Sequence, residues 1–404
     1  MPRTSLDPAA VAAVTARLAD VDQRAPEGRQ PVHTCYVPAD RVTSDTVAEW
    51  GRRALDALAE HAPTPADLAR VLDLPAASAG VLHAGVRAKL AAEPVEDLRI
   101  DFEDGYGSRP DEDDDAERAA RVVRGWLADG VAPARFGLRV KSFDTRASRD
   151  RGIRTLDVFL TALGDVPPGF VITFPKVTSV AQVEVFGDVL DLFGSDLRFE
   201  IQVETPRSIV DRWGRIAIPT FIEAGRGRVT GLHFGTYDYT AACGLGAAHQ
   251  HLAHGACDFA RHVMQVSAAG TGVALSDGST NALPVGDRVE HGWRTHYALV
   301  RRSLAHGFHQ GWDLHPAQLV TRYAAVHAHH REGAEADARR LRDYVSRAGG
   351  AVLDEPATAQ ALSASFLRAT DCGALDAAEV ERMTGLDLPA LRALARRERP
   401  SDDG

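Results

Sequence analysis

Short β-branched and aromatic runs alternate with longer stretches of helical periodicity through the middle of the chain. Apolar or alternating runs predict strands at His33–Val37, Leu98–Phe102, Phe136–Val140, Phe170–Phe174, Arg198–Val203, Val229–Phe234, Thr271–Leu275 and Gly311–Leu314. Between most of them the pattern predicts helices, at Asp115–Leu127, Ile153–Ala162, Ser179–Leu192, Cys257–Ala269 and Arg288–His306. Strands separated by helices are βα units, and eight of them is the number that closes an α/β (β/α)₈ barrel of the TIM type. A doubly wound open sheet is the alternative. No GxGxxG follows the first strand, which counts against a dinucleotide-binding crevice.

Three segments lie outside this repeat. Residues 1–31 form an N-terminal helical extension, read from a mildly amphipathic start. The barrel spans 32–320 and carries a mostly helical insertion at about 39–95, broken at Pro63, Pro65 and Pro75. Residues 321–404 are helical in pattern, rich in Ala and Arg, with His327, His329 and His330 expected on an exposed helix face. The acidic run at 111–115 precedes a predicted helix and is read as favourable charge at its N-terminus.

Composition narrows the function. The chain has 404 residues and a formal net charge of −10, so a nucleic-acid partner held by phosphate neutralisation is not expected. No apolar run approaches the roughly 18 residues of a membrane span, and the N-terminus lacks the cationic start and apolar stretch of a signal peptide. Cys35, Cys243, Cys257 and Cys372 are far apart and form no CxxC pair, so a reduced, cytoplasmic compartment is expected.

Polar residues recur where the predicted strands end, which is where barrel enzymes place their chemistry. The second strand runs into Asp101-Phe102-Glu103-Asp104-Gly105, and the third carries Arg139 followed by Lys141. The fourth leads to Pro175-Lys176, the fifth to Glu204-Thr205-Pro206, and the sixth to Gly235-Thr236-Tyr237-Asp238. Glu204 and Asp238 come from adjacent strands. Two carboxylates, with other positions left to water and ligand oxygens, are the usual protein contribution to a Mg²⁺ site. Such a metal would chelate a 2-oxo acid, with Arg139 as a fixed cation for its carboxylate or enolate oxygen. Glu103 and Asp101 would orient that arginine or a metal-bound water. The competing reading is a structural salt-bridge network across the barrel mouth.

Taken in order, the pieces LRIDFEDGYG, LRVKSF, FPKV, IQVETP, FGTYDYTAACGLG, AAGTGVALSDG and HGFHQGWDLHPAQL resemble the citrate lyase β-subunit branch of the HpcH/HpaI aldolase superfamily. The D-x-E-D and arginine constellation is also similar to that of malate synthases. The resemblance implies a pyruvate/phosphoenolpyruvate-type (β/α)₈ barrel, with Mg²⁺ (or Mn²⁺ in its place) on Glu204 and Asp238. It implies that Arg139 contacts the oxo acid and that Asp101, Glu103 and Asp104 form the acidic motif. Backbone at Thr205 and around Gly235, Thr236 and Tyr237 would meet the substrate carboxylate. His315, Pro316 and Gln318 match a signature read as structural.

The sequence departs from that pattern in several places. Residues 207–228 hold an apparent insertion, Tyr237 replaces a small or acidic residue, and Gln310 and Trp312 replace the usual glycine and lysine. The histidine base of HpcH-type aldolases has no counterpart. Candidates for the general base are Asp354, Asp371 and Asp376, from this chain or a neighbouring subunit, and each also reads as a surface charge or helix cap. His249, His251 and His254 form an H-x-H-x-x-H cluster that could hold a transition metal, and Lys176 could form a Schiff base.

The reading is a Mg²⁺-dependent carbon–carbon lyase or aldolase, or its reverse condensation. It would act through an enolate on a small 2-oxo acid or its acyl-CoA adduct, in a homo-oligomer. The free acid and the CoA thioester both remain open. The alternatives are phosphoenolpyruvate or oxo-acid binding with phosphoryl transfer or hydrolysis, and a non-catalytic ligand-binding barrel.

Overall fold

The computed structural model describes residues 6–16, 28–194, 196–346 and 355–396. The order of elements begins α1 (Pro8–Thr15), β1 (Thr34–Pro38), α2 (Thr46–His61), α3 (Pro65–Leu72), α4 (Ala76–Ala92), β2 (Asp97–Asp101) and α5 (Glu112–Asp129). It continues with β3 (Arg135–Arg139), α6 (Arg146–Leu163), β4 (Phe170–Phe174), α7 (Val180–Asp191), β5 (Phe199–Val203), α8 (Pro206–Ile209) and α9 (Ile218–Ala224). Then come β6 (Val229–Phe234), α10 (Thr236–Ala242), α11 (Gly255–Ala268), β7 (Ala274–Ser276), α12 (Val289–Ala305) and β8 (Trp312–Asp313). The chain finishes with α13 (Gln318–Arg331), α14 (Ala334–Val345), α15 (Pro356–Asp371), α16 (Ala377–Thr384) and α17 (Leu388–Ala395).

The strands form one parallel sheet in the order β7-β6-β5-β4-β3-β2-β1-β8. A parallel bridge between Ser276 and Gln310 brings its two edges together, giving a (β/α)₈ barrel. Every predicted strand overlaps an observed one. The seventh is displaced toward the C-terminus because Gly270 and Gly272 take left-handed φ values of 75° and 80° and form a turn.

One set of strand residues, including Leu98, Ile100, Leu138, Ile172, Phe174, Ile201, Leu232 and Phe234, faces the helices and joins the main apolar core. The alternate set fills the barrel axis and is largely polar. Gly137 belongs to this inner set, and a Cβ there would lie 1.7 Å from the Val171 carbonyl oxygen. The inserted helices α2–α4 pack on α12 and α13. Helix α13 crosses residue 321, the expected start of the C-terminal segment, and its Leu319–Val326 side belongs to the barrel core. Helices α14–α17 gather round a second apolar cluster that includes Leu341, Phe366 and Leu391.

His327 and His330 are buried and His329 half-buried, which corrects the expected exposed face. The reason is tertiary: α13 is covered by α4, α12 and α15. The acidic run does start α5, but Glu112 is buried against Lys141 and Thr155, and Asp113 holds Arg151 and Arg154. Residues 207–228 form α8, a turn closed by a Val210–Ile216 bridge, and α9. Among the described residues the cysteines are unpaired, and no helix is long and apolar enough to cross a membrane.

Candidate active site

The barrel axis carries two layers of charge. The lower one, at the N-terminal ends of the strands, contains Arg99 between Asp97 and Glu200. Arg99 Nη2 lies 2.9 Å from Glu200 Oε2, whose other neighbour is His233 Nε2 at 2.9 Å. Thr34 donates to Asp97 and Thr173 to Glu200. A cavity of about 1050 Å³ opens below this layer, at the end of the barrel opposite the predicted chemistry. Its lining includes Arg99, Glu200 and His233. Arg99 and Glu200 are spent on each other there.

At the other mouth, the strand ends bring Asp101, Glu103, Arg139, Lys176, Glu204 and Asp238 together. Asp101, the last residue of β2, takes a two-pronged contact from Arg139, with Nε at 2.6 Å and Nη2 at 2.7 Å. Its oxygens also accept the amides of Glu103 and Gly105, which fixes the loop that follows. The Tyr36 ring lies 4.8 Å from the guanidinium carbon and pins its plane. Arg139 Nη1 is left facing Glu103 Oε2 at 3.6 Å. Arg139 is therefore pre-oriented, with one nitrogen free of Asp101.

Lys176 ties the acidic loop to β4, its Nζ 2.6 Å from Glu103 and 2.8 Å from Asp104. Its φ is 52°, a left-handed backbone that costs a side-chain-bearing residue of order 1–3 kcal/mol. That turn aims the Lys176 amide at Glu204 Oε1, 2.8 Å away. The ammonium is pushed above its ordinary range despite burial, by the hydrogen bonds it donates to Asp104 and Glu103. That pairing favours the charged form over the free amine a Schiff base needs.

Glu204 is 2% exposed. Burial first, then the Asp238 charge and Glu103, push its carboxyl up to about 8, against the pull of Arg139. Burial and Asp104 raise Glu103 to about 7 although Arg139 and Lys176 oppose it. Asp238, in the first turn of α10, is also raised, by burial and then by Asp104. This mouth gathers more carboxyl groups than its two cations, Arg139 and Lys176, can pair, so Glu103 and Glu204 are pushed toward their protonated forms. A divalent cation would invert that balance. Two carboxylates on oxygen-only surroundings suit Mg²⁺ or Mn²⁺, so the residues fit the implied metal. Gly235 allows the close approach: a Cβ there would sit 2.6 Å from Glu204 Oε2.

The expected backbone donors are arranged differently. The Thr205 amide goes to Ser208 Oγ in the cap of α8, and the Gly235 amide to Val203 O. Tyr237 uses its hydroxyl to accept from the Asn281 amide. Thr236 Oγ1 is buried without a partner. Gln318 accepts from the Leu314 and His315 amides, a structural clamp.

Among the base candidates, Asp376 caps α16 through the Glu379 amide. Asp371 feels Arg29, Arg392 and Glu96, toward the N-terminal mouth. Asp354 lies outside the described residues. His254 accepts the Ala256 amide at the start of α11, and His249 and His251 are exposed. Among the described residues no group of three or more His, Cys, Asp or Glu side chains is disposed to hold a metal ion.

Sequence reasoning missed Tyr36 and the positioning role of Lys176. Tyr36 could have been found from the two-residue spacing of Thr34, Tyr36 and Pro38, which puts it on the inner face.

No curated protein matches the chain. Among solved structures it is similar to CitE from Mycobacterium tuberculosis, in complex with magnesium, acetoacetate and coenzyme A. That match has 19% identity and a TM-score of 0.49, over 86% of this chain and 99% of that one. It is also similar to Haloferax volcanii malate synthase, at 19% identity and TM-score 0.49, over 75% and 76%. RipC from Yersinia pestis matches at 17% identity and TM-score 0.46, over 76% and 96%. The family model described as a domain of unknown function, DUF6986, matches residues 12–399, and the chain belongs to that family.

Proposed function

We propose that this chain is a Mg²⁺-dependent carbon–carbon lyase, or catalyses the reverse aldol or Claisen-type condensation, on a small 2-oxo acid or its acyl-CoA adduct. The observation that carries the reading is the surplus of carboxyl groups at buried Glu103 and Glu204 and at exposed Asp238 beside a pre-oriented Arg139. A network built only for stability would neutralise its own charges, as the lower layer does.

Glu204 and Asp238 would hold the metal, which when bound polarises the substrate carbonyl and lowers the cost of placing charge on its oxygen. Arg139 Nη1, not held by Asp101, would meet the same substrate oxygen, while Asp101 and Tyr36 fix the guanidinium plane. In the cleavage direction a hydroxyl proton leaves and the carbon–carbon bond breaks. Its electron pair stays with the fragment whose enolate oxygen faces Arg139, and that carbon then takes a proton. Lys176 holds Glu103 and Asp104 in place and keeps Glu204 oriented through its amide. The base that moves the carbon-bound proton is proposed to come from a neighbouring subunit of a homo-oligomer, because Asp371 and Asp376 lie away from this mouth. A cytoplasmic location goes with this reading.

Deuterium wash-in to the methyl group of pyruvate, with acetyl-CoA as a parallel sample, tests it by proton NMR in D₂O. Exchange in one sample that needs Mg²⁺ and is lost in Glu204→Gln is expected. No exchange in either sample, or exchange indifferent to EDTA and to Glu204→Gln, contradicts the reading.

A further inference from the structure

The C-terminal helices meet the barrel over a cluster of basic side chains. His329 and His330 come from α13, Arg368 from α15, and His309 from the turn leading into β8. The His329 ring centroid lies 5.2 Å from that of His330 and 6.5 Å from that of His309. The Arg368 charge is felt by all three imidazoles.

Among the described residues, counter-groups are missing. Arg368 is half-buried, yet its guanidinium makes no hydrogen bond or ion pair with any described residue, and its Nε is buried. His330 is 8% exposed, and its Nδ1 is buried without a partner, as is Nδ1 of His309. The nearby acids do not fill the gap. Glu332 is held by Arg301, and Asp371, three residues along α15, stays outside ion-pairing distance of Arg368.

An arginine remains charged at any pH a protein survives, and buried charges in folded proteins are paired. Elsewhere in the chain that rule is kept: Arg99, Arg139, Arg261 and Arg322 each hold a carboxylate. Half-buried Arg368, whose Nε is buried, holds none among the described residues, and the groups around it are imidazoles that can donate. We propose that Arg368, His309, His329 and His330 bind a compact oxyanion, a phosphate group or a carboxylate, at the seam between barrel and C-terminal helices.

The chemistry suits such an anion. The guanidinium fork presents paired N–H groups to two oxygens at once. Burial, with the Arg368 and neighbouring His charges, pushes His330 down to about 3 and His309 well below its ordinary range. The rings are therefore uncharged at neutral pH and serve as hydrogen-bond donors, leaving Arg368 as the fixed charge. The anion would bridge α13, which belongs to the barrel core, and α15, which belongs to the second cluster. The site is independent of the chemistry proposed above.

The test uses the full chain. Thermal unfolding and isothermal titration calorimetry are run with inorganic phosphate, sulfate and acetate, against chloride at equal ionic strength, for the wild type and Arg368→Gln. A saturable rise in Tm beyond that with chloride is expected for at least one anion, with binding at least tenfold weaker in Arg368→Gln. Preference for phosphate and sulfate identifies a phosphate-type ligand; preference for acetate identifies a carboxylate. A wild type that responds to none of them beyond chloride, or equal binding by Arg368→Gln, overturns the proposal. A second measurement needs no variant: the same anions are added during histidine modification by diethyl pyrocarbonate, mapped by mass spectrometry. Slower modification of His329 with unchanged rates at exposed His249 and His251 is expected, and unchanged rates at His329 with all three anions overturn it.

Discussion

Glu200 and Glu204 lie four residues apart on and just beyond β5, both buried, and their surroundings push them in opposite directions. Glu200 is held well below the carboxylate range: burial raises it, but the charges of Arg99 and His233 overcome burial. Glu204 is pushed up to about 8 because burial, Asp238 and Glu103 outweigh Arg139, which is already occupied by Asp101. Buried charge of the same type is thus structural in one layer and available in the other. What separates them is whether the chain itself supplies the counter-charge.

The largest effect should come from breaking the lower layer. Arg99→Met strands Asp97 and Glu200 without their cation, and removing one partner of a buried pair costs about 3–5 kcal/mol. Urea unfolding should show a loss of that size; a loss under about 1 kcal/mol would mean water already screens the layer through the lower cavity.

Next is the seam between α13 and its neighbours. Burial holds His327 down to about 4, so the folded state keeps it neutral while the unfolded chain takes up a proton below the usual 6.5. Stability from this residue is complete above about pH 6.5 and is lost as pH falls toward 4, by about 3 kcal/mol in all. His327→Leu should flatten that part of the stability profile. An unchanged profile would assign the acid loss to other groups.

Gly235→Ala is expected to act on the upper layer through shape alone. Its Cβ would lie 2.3 Å from the Glu204 Cβ, and overpacking of this kind costs about 1–3 kcal/mol. Turnover should fall much further than stability, since the displaced group is Glu204. Proportional losses would mean the glycine serves packing only.

The smallest stability change should belong to Glu204→Gln. In EDTA the carboxyl, pushed up to about 8, is mostly protonated at neutral pH, and Gln replaces it with a neutral group of the same shape, so its Tm should match or exceed that of the wild type. Glu200→Gln should lower Tm clearly. A Tm falling equally in both variants would erase the distinction between the layers.

The strands were legible because each carries a short β-branched and aromatic face toward the helices, either as an apolar run or at every second position, bounded by helical periodicity. The upper charges were legible because Asp101, Arg139 and Glu204 end or follow such runs. The lower layer was not, because charge in the middle of a strand reads as a solvent face. Its signal is the two-residue spacing of Asp97, Arg99 and Asp101 on β2 and of Glu200, Gln202 and Glu204 along β5. The left-handed turn at Lys176 and the burial of His327 depend on which elements meet across the fold, and no local pattern carries that information.

The most direct test of the central claim is a Mn²⁺ titration read by electron paramagnetic resonance, on the wild type, Glu204→Gln and Glu200→Gln. The account predicts about one Mn²⁺ per chain, displaceable by Mg²⁺, in the wild type and in whatever fraction of Glu200→Gln folds, and none in Glu204→Gln. A wild type that binds no Mn²⁺, or a Glu204→Gln variant that binds it as tightly, would contradict the account.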